Sequence, residues 1–273
     1  MLPIESSFKP IIDWSKKKLE SRQETGNHTD FLGGFLRIKH ENPDDVNHGD
    51  IMTYLLSNVL AGSDTTASTM CSAVYFTLQD EEVHKNLLSE LRDGPGDNQP
   101  SDLLSWDNIA SLPYLDAVIR ETLRIQPPVG LMLERVVPDG FYLPVKDNSG
   151  NNKGRFYVPK GTKIGMNPWV VNRDMETFGP KPHHFYPRRW LQNGLNAGNG
   201  GKAHESDDQF QLRLTNMNKY DLTFGAGTRQ CLGKDLALLE IYKLVATLFK
   251  EFDVSRLSPV FLPALLHMLT ALY

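Results

Sequence analysis

Cysteine is scarce in this chain of 273 residues, which carries only Cys71 and Cys231. Two cysteines so far apart exclude a disulfide framework and cysteine-rich zinc modules, and they suit a reducing compartment. The chain also lacks an excess of charge of one sign, because 29 Lys and Arg stand against 33 Asp and Glu for a net charge of -4. We therefore expect no nucleic-acid partner.

Long apolar runs are absent from the start of the chain. Its first residues, MLPIESSFKP, contain neither the charged stretch nor the apolar run of a signal peptide or membrane anchor, so we expect no anchor there. The most apolar segment, residues 257–273, is shorter than the roughly 20 residues that span a bilayer, and it contains Pro259 and Pro263. It is expected to form an atypical buried or interfacial tail.

Three common enzyme signatures are missing as well. HExxH, GxSxG, and GxxxxGK followed by Ser or Thr do not occur, which excludes the usual sequence-visible zinc-protease, α/β-hydrolase and P-loop classes. What the chain does have is the composition of an ordinary globular protein, with 40% hydrophobic and 23% charged residues. Its length allows one large domain or two small ones.

Four segments have the apolar periodicity of helices. The longest, residues 50–78, is too long and too apolar for a surface helix. Asp80 is predicted to cap a second helix that ends before Gly94. A third covers residues 112–125, and a fourth begins near Cys231 and ends at about residue 252.

Short β-prone runs separated by Pro and Gly lie between the third and fourth helices. They predict a small irregular sheet with strands in 141–145, 155–158 and 162–166 and a turn at 147–154. Residues 1–46 are polar and weakly patterned, so we expect a ragged segment that builds no core, and the Gly- and Asn-rich residues 193–209 predict a mobile surface loop. The fold class is mainly α with small irregular β-sheets.

The densest chemical signal is FGAGTRQCLG, from Phe224 to Gly233. Its glycines allow a tight turn and close approach to a flat partner, and a cysteine where a helix begins favours its thiolate. A lone cysteine before an apolar helix is by itself more often a small core residue. A dinucleotide-binding interpretation fails because Gln230 stands at the third glycine position.

This stretch resembles the FxxGxRxCxG haem-binding motif of cytochrome P450 at all five fixed positions: Phe224, Gly227, Arg229, Cys231 and Gly233. The resemblance implies haem (iron protoporphyrin IX) as cofactor and Cys231 as the axial thiolate ligand of its iron. It further implies that Phe224 packs beside the sulfur and that Arg229 pairs with a haem propionate. A thiolate ligand favours O–O cleavage by pushing electron density onto the iron.

A second stretch, Ala61-Gly62-Ser63-Asp64-Thr65-Thr66 in the long helix, resembles the oxygen-binding motif AGxDTT of the family. Gly62 leaves room for a flat ligand, and the Thr65 hydroxyl can bond back to the preceding turn and open a local groove for water. By the resemblance, Asp64 and Thr65 relay protons to dioxygen, which is a general-acid role.

A third stretch resembles the ExxR motif of the family, with Glu121 and Arg124 at i and i+3. In the family this pair locks the core beneath the haem with a later arginine, here Arg189 in a segment that resembles FxPERW. Arg188 stands where the family usually has Glu, which leaves its local pairing open. Arg135 occupies a position where many members bind a second propionate.

The resemblance covers about residues 30–254 and corresponds to the C-terminal half of a member, with residues 47–256 as part of one haem-binding domain. Residues 127–138 and 165–169 are most similar to fungal microsomal members of the pisatin-demethylase kind.

The implied function is insertion of one oxygen atom from O2 into a small apolar substrate, with electrons from an NADPH-dependent flavoprotein reductase. Lys219, Arg229 and Lys234 are candidates for attracting that acidic partner, or equally a solvated basic face.

The resemblance implies that a full-length member lies on the cytosolic face of the endoplasmic reticulum membrane. Because we expect no anchor in this chain, we expect it to be cytosolic. Membrane association would require an N-terminal anchor. Three alternatives stay open: a truncated non-catalytic fragment, a haem-thiolate isomerase or dehydratase, and a thiol enzyme using Cys231. The last would need a partner base, and no motif places His204 or His267 in that role.

Overall fold

The computed structural model describes residues 4–22, 29–93, 104–146, 151–195 and 204–255. The chain divides into two compact units, one up to Thr65 and one from Thr66 onward. The helices are α1 (Ile4–Glu20), α2 (Phe31–Glu41), α3 (His48–Gln79), α4 (Glu81–Asp93), α5 (Trp106–Ala110), α6 (Pro113–Ile125), α7 (Pro168–Val171), α8 (Met175–Phe178), α9 (Asp207–Tyr220) and α10 (Lys234–Glu251). The strands are β1 (Arg135–Val136), β2 (Phe141–Lys146), β3 (Asn152–Val158) and β4 (Lys163–Ile164).

The first unit has a small core of its own, so the expectation that residues 1–46 build none is wrong. Leu32 and Leu36, one turn apart on α2, pack with Leu19 of α1 and Ile51 of α3, and all four are buried. The Asp30 carboxylate begins α2 by accepting a hydrogen bond from Gly33 N at 2.8 Å. The sparse apolar residues therefore share one helix face, which is why the segment reads as polar on average.

In the second unit, α6 lies at the centre of the core. Ten of its thirteen residues are buried, whereas a surface helix buries one face. Its Leu115, Val118 and Ile119 pack against side chains of the surrounding helices, among them Ala73 of α3, Leu87 of α4, and Ile241, Val245 and Phe249 of α10.

The structure confirms three of the four predicted helices nearly to the residue, as α3, α4 and α6. The Asp80 carboxylate caps α4 by accepting from the backbone N–H groups of Glu82 and Val83 at 3.0 and 3.1 Å. The fourth helix differs, because α10 begins at Lys234 rather than near Cys231. The backbone at Gly225 and Gly227 has positive φ, and the chain completes this loop before the helix can begin.

Two separate two-stranded antiparallel sheets stand in the region predicted to be β. β2 pairs with β3, with Phe141 opposite Val158, and β1 pairs with β4, with Arg135 opposite Ile164. The predicted tail at 257–273 lies wholly outside the described residues, and the turn at 147–154 and the loop at 193–209 lie partly outside them. The predicted loop gives way to helix α9 at Asp207, where Ser206 forms a capping box with Gln209.

Candidate functional site

Glu121 on α6 is the acceptor at the centre of a fully buried polar cluster. Arg124 donates to both of its carboxylate oxygens, at 2.8 and 2.7 Å, and Arg189 donates to Oε1 at 2.9 Å. The side chains of Glu121, Arg124 and Arg189 are each 0% exposed. The structure thus brings together the three residues that the family resemblance grouped.

One carboxylate does not balance two buried guanidinium groups, and backbone carbonyls satisfy the remaining donors. Arg124 donates to the carbonyls of Asn172 and Pro182 at 2.7 Å each, and Arg189 donates to the carbonyls of Phe178 and Lys181. Burial lowers the pKa of Arg189, although Glu121 opposes that effect. The cluster therefore ties α6 to residues 172–189 through fixed hydrogen bonds.

Sequence reasoning missed two further members of this cluster. The indole N–H of Trp190 donates to Glu121 Oε2 at 2.9 Å, and the backbone N–H of Tyr186 donates to Oε1 at 2.8 Å. The guanidinium of Arg173 lies nearby and stacks 3.6 Å from the Trp169 ring centre, and burial together with Arg124 lowers its pKa to about 10. A buried carboxylate requires several hydrogen-bond donors. That requirement was the signal from which further donors to Glu121 could have been expected.

The loop that carries Cys231 closes on itself through backbone hydrogen bonds. Cys231 N donates to the Phe224 carbonyl at 2.9 Å, and Gln230 N donates to the Gly227 carbonyl at 3.1 Å. Gly225 and Gly227 have φ values of 71° and 70°, in the left-handed region that glycine tolerates. The loop ends at Gly233, which precedes α10, and the Cys231 thiol is free and exposed.

An apolar side chain beside this loop and another within it are open to solvent. A Cβ built on Gly225 would lie 3.8 Å from Leu133 Cδ1, so Leu133 stands beside the loop, and nothing lies within 4 Å of a Cβ built on Gly227. Leu133 is 39% exposed and Leu232 is 104% exposed. The loop therefore presents a thiol and an apolar surface together.

The cationic candidates are exposed or partly exposed. Arg135 on β1 and Arg229 are exposed, and Arg135 donates to the Glu134 carbonyl at 2.9 Å. Lys234 lies 5.7 Å from the Phe224 ring centre, and Lys219 lies 5.5 Å from that of Tyr220. Lys219 and Lys234 both line a cavity of about 540 Å³ that also reaches Phe224 and Gly227.

The AGSDTT segment lies in α3; its first five residues end the first unit, whereas Thr66 and Cys231 belong to the second unit. The Thr65 hydroxyl donates to the Ala61 carbonyl at 2.7 Å, as the sequence predicted. Ala61, Gly62 and Asp64 are exposed, and a Cβ on Gly62 would meet nothing within 4 Å. The predicted groove for water stays a prediction.

Arg188, whose local pairing the sequence left open, forms an ion pair with a residue of α4. Its guanidinium pairs with Glu82 at 2.5 Å, and the two side chains are 40% and 70% exposed. The residue that departs from the FxPERW pattern therefore finds its partner on another helix, in a surface pair of small energetic weight.

The sequence of this chain matches a known protein family and several fungal proteins. The family model for cytochrome P450 matches residues 4–263, and the chain belongs to the cytochrome P450 family. It is similar to fungal enzymes: cytochrome P450 monooxygenase mpaDE' of Penicillium brevicompactum, 36% identical over 92% of this chain and 27% of that protein; cfoH of Aspergillus candidus, 35% over 93% and 44%; and cicH of Emericella nidulans, 34% over 93% and 47%. The chain spans less than half the length of these relatives.

Several properties are general to this family. Cytochromes P450 are haem-thiolate oxidoreductases that generally use a redox partner and a hydrophobic substrate, and fungal members are typically associated with the endoplasmic reticulum. In the described part of this chain, no helix combines the length and apolar character needed to cross a bilayer. The closer likeness to pisatin-demethylase-type members stays a prediction.

Proposed function

We propose that this chain is the haem-binding part of a monooxygenase that inserts one oxygen atom from O2 into a small apolar substrate. The observation that carries the proposal is the free, exposed Cys231 thiol on a glycine-hinged loop, in a chain that matches the cytochrome P450 model. Electrons would come from NADPH through a flavoprotein reductase, for which Lys219 and Lys234 offer positive charge.

The residues present fit a haem. The Cys231 sulfur would hold the iron, and Arg135 and Arg229, both exposed, would pair with the propionates. Leu133 and Phe224 would pack against the apolar macrocycle, and Gly227 leaves open space where a side chain would intrude. When bound, haem supplies the reductive activation of dioxygen, and the thiolate favours O–O cleavage.

Within the chain, Asp64 and Thr65 would hold and pass protons. The Thr65 hydroxyl, which donates to the Ala61 carbonyl at 2.7 Å, is a group that can both donate and accept and would take part in this relay. The exposed Asp64 carboxylate would supply protons from solvent. Glu121, Arg124 and Arg189 would hold the core beneath the cofactor without touching substrate.

The test is turnover of the haem-loaded chain with NADPH, a microsomal flavoprotein reductase and isotopically labelled dioxygen, over a panel of apolar substrates. We expect label in the product, and we expect Thr65→Ala to consume NADPH with at least about tenfold less product formed per NADPH. Ser63→Ala is the matched control, because Ser63 also bonds back one turn, to the Val59 carbonyl at 2.5 Å. Product formation without NADPH would favour the isomerase or dehydratase alternative.

A second candidate, a non-catalytic fragment, is favoured by the apolar side chains exposed beside the loop, among them Leu133 and Leu232. Such a fragment would not take up haem, or would take it up without oxygen transfer to any substrate. Haem content measured before turnover separates these outcomes.

A further inference from the structure

Asn172 is a fully buried residue outside the motifs, and its side chain forms hydrogen bonds with one short segment. It follows α7 directly and is 0% exposed. Its Nδ2 donates to Thr223 Oγ1 at 3.1 Å and to Asp221 Oδ1 at 3.3 Å, and its Oδ1 accepts from Leu222 N at 3.1 Å. All three partners lie in residues 221–223.

The backbone of Asn172 is hydrogen-bonded to the Glu121 cluster. Its carbonyl accepts from Arg124 at 2.7 Å, and Arg124 is held by Glu121. The Thr223 hydroxyl, whose shorter contact is with Asp221 Oδ1 at 2.6 Å, lies 3.1 Å from the Leu123 carbonyl of α6. Residues 221–223 are thus attached to the Glu121 cluster through the buried Asn172.

The same short segment leads into the Cys231 loop. Gly225 N donates to the Leu222 carbonyl at 2.9 Å, and Cys231 N donates to the Phe224 carbonyl at 2.9 Å. We propose that Asn172 is a positioning residue that fixes the point where this loop leaves the core, and through it the place of Cys231. The functional part of this inference rests on the proposed role of Cys231 as the thiolate ligand.

The chemistry of the position selects an amide. Asparagine is the side chain of this size that both donates and accepts, as the contacts with Asp221 and Leu222 require. Aspartate would keep the acceptor but place a carboxylate 3.3 Å from Asp221 Oδ1, at the present Nδ2 position. Alanine would leave Leu222 N–H without its buried acceptor.

The test is hydrogen exchange of backbone amides in the full chain, first without haem. In Asn172→Ala we expect the amides of residues 222–231 to exchange at least about tenfold faster, with a smaller change in α4 and α10. Thr122→Ala is the matched control, because Thr122 is equally buried and its hydroxyl bonds within α6, to the Val118 carbonyl at 2.8 Å. It should lower thermal stability without a selective change at 222–231.

Thr223→Val keeps the shape of the side chain and carries the same test should Asn172→Ala fail to fold. In the haem-loaded chain, Asn172→Ala should lose part of the thiolate-type Soret band that Thr122→Ala retains. Equal, uniform acceleration in Asn172→Ala or Thr223→Val and in Thr122→Ala would overturn the positioning role. Because exchange is measured without haem, failure of the chain to bind haem would refute the proposed function and leave this result standing.

Discussion

Glu121 shows how much one buried carboxylate can organise. It accepts five hydrogen bonds, two from Arg124 and one each from Arg189, Trp190 and the Tyr186 backbone. Without its charge, two guanidinium groups would remain buried with only neutral acceptors.

Glu121→Gln should therefore lower the free energy of unfolding by about 3–5 kcal/mol. Glu82→Gln, which breaks the exposed pair with Arg188, should cost less than about 1 kcal/mol. Urea unfolding followed by circular dichroism measures both. Equal losses for the two variants would mean that the buried cluster does not hold the core.

Glu205 provides a test by pH. Hydrogen bonds from Arg213, at 2.7 and 2.8 Å, hold the pKa of this carboxyl below its ordinary 4.5, although burial opposes them. The unfolded chain binds the proton more readily, so this stabilisation is complete above pH 4.5 and is lost as the pH falls through the folded-state pKa.

The thermal midpoint of the wild type should therefore exceed that of Glu205→Gln near neutral pH, and the gap should narrow below about pH 4.5. Scanning calorimetry of both proteins over this range gives the comparison. Parallel curves down to low pH would show that Glu205 contributes no pH-dependent stability.

At the scale of elements, α6 depends on a cap from another helix. Its N-cap residue, Leu112, makes no side-chain cap bond, and the Glu90 carboxylate of α4 accepts instead from Tyr114 N and Leu115 N at 2.7 Å each. Local sequence around residue 112 gives no sign of this, because the acceptor is far away in the chain.

Glu90→Ala should cost about 1–2 kcal/mol of stability and lower amide protection in the first turn of α6. Glu240→Ala, at an exposed position of α10, is the control and should change stability by less than about 0.5 kcal/mol. Hydrogen exchange with chemical denaturation measures both effects. Unchanged protection at Tyr114 and Leu115 would rule out the cap.

The sequence predicted elements where the apolar periodicity was strong, although it missed α9, which the local capping box of Ser206 and Gln209 begins. Helix periodicity placed α3, α4 and α6, and the i, i+3 spacing put Glu121 and Arg124 on one face. It failed where the cause was distant: the start of α10 depends on loop closure, and the core around Leu19 depends on packing between helices. The contacts of Asn172 and Glu90 join residues remote in sequence, so no periodicity could show them.

At the scale of the molecule, family membership follows from three motifs in order and from a match over residues 4–263. The motif residues fall into two groups in the described structure. Arg124 and Arg189 both contact Glu121, whereas the proposed roles of Cys231, Arg135 and Arg229 require a bound haem. The proposed function therefore depends on ligation of the haem iron by Cys231.

The most direct measurement is the reduced, carbon-monoxide-bound difference spectrum of the full chain after expression with a haem precursor. We predict the red-shifted Soret band typical of thiolate ligation, lost in Cys231→Ala and retained in Cys71→Ala, whose cysteine is also free and exposed. No haem uptake, or a thiolate band that survives in Cys231→Ala, would contradict the assignment of Cys231 as the haem ligand.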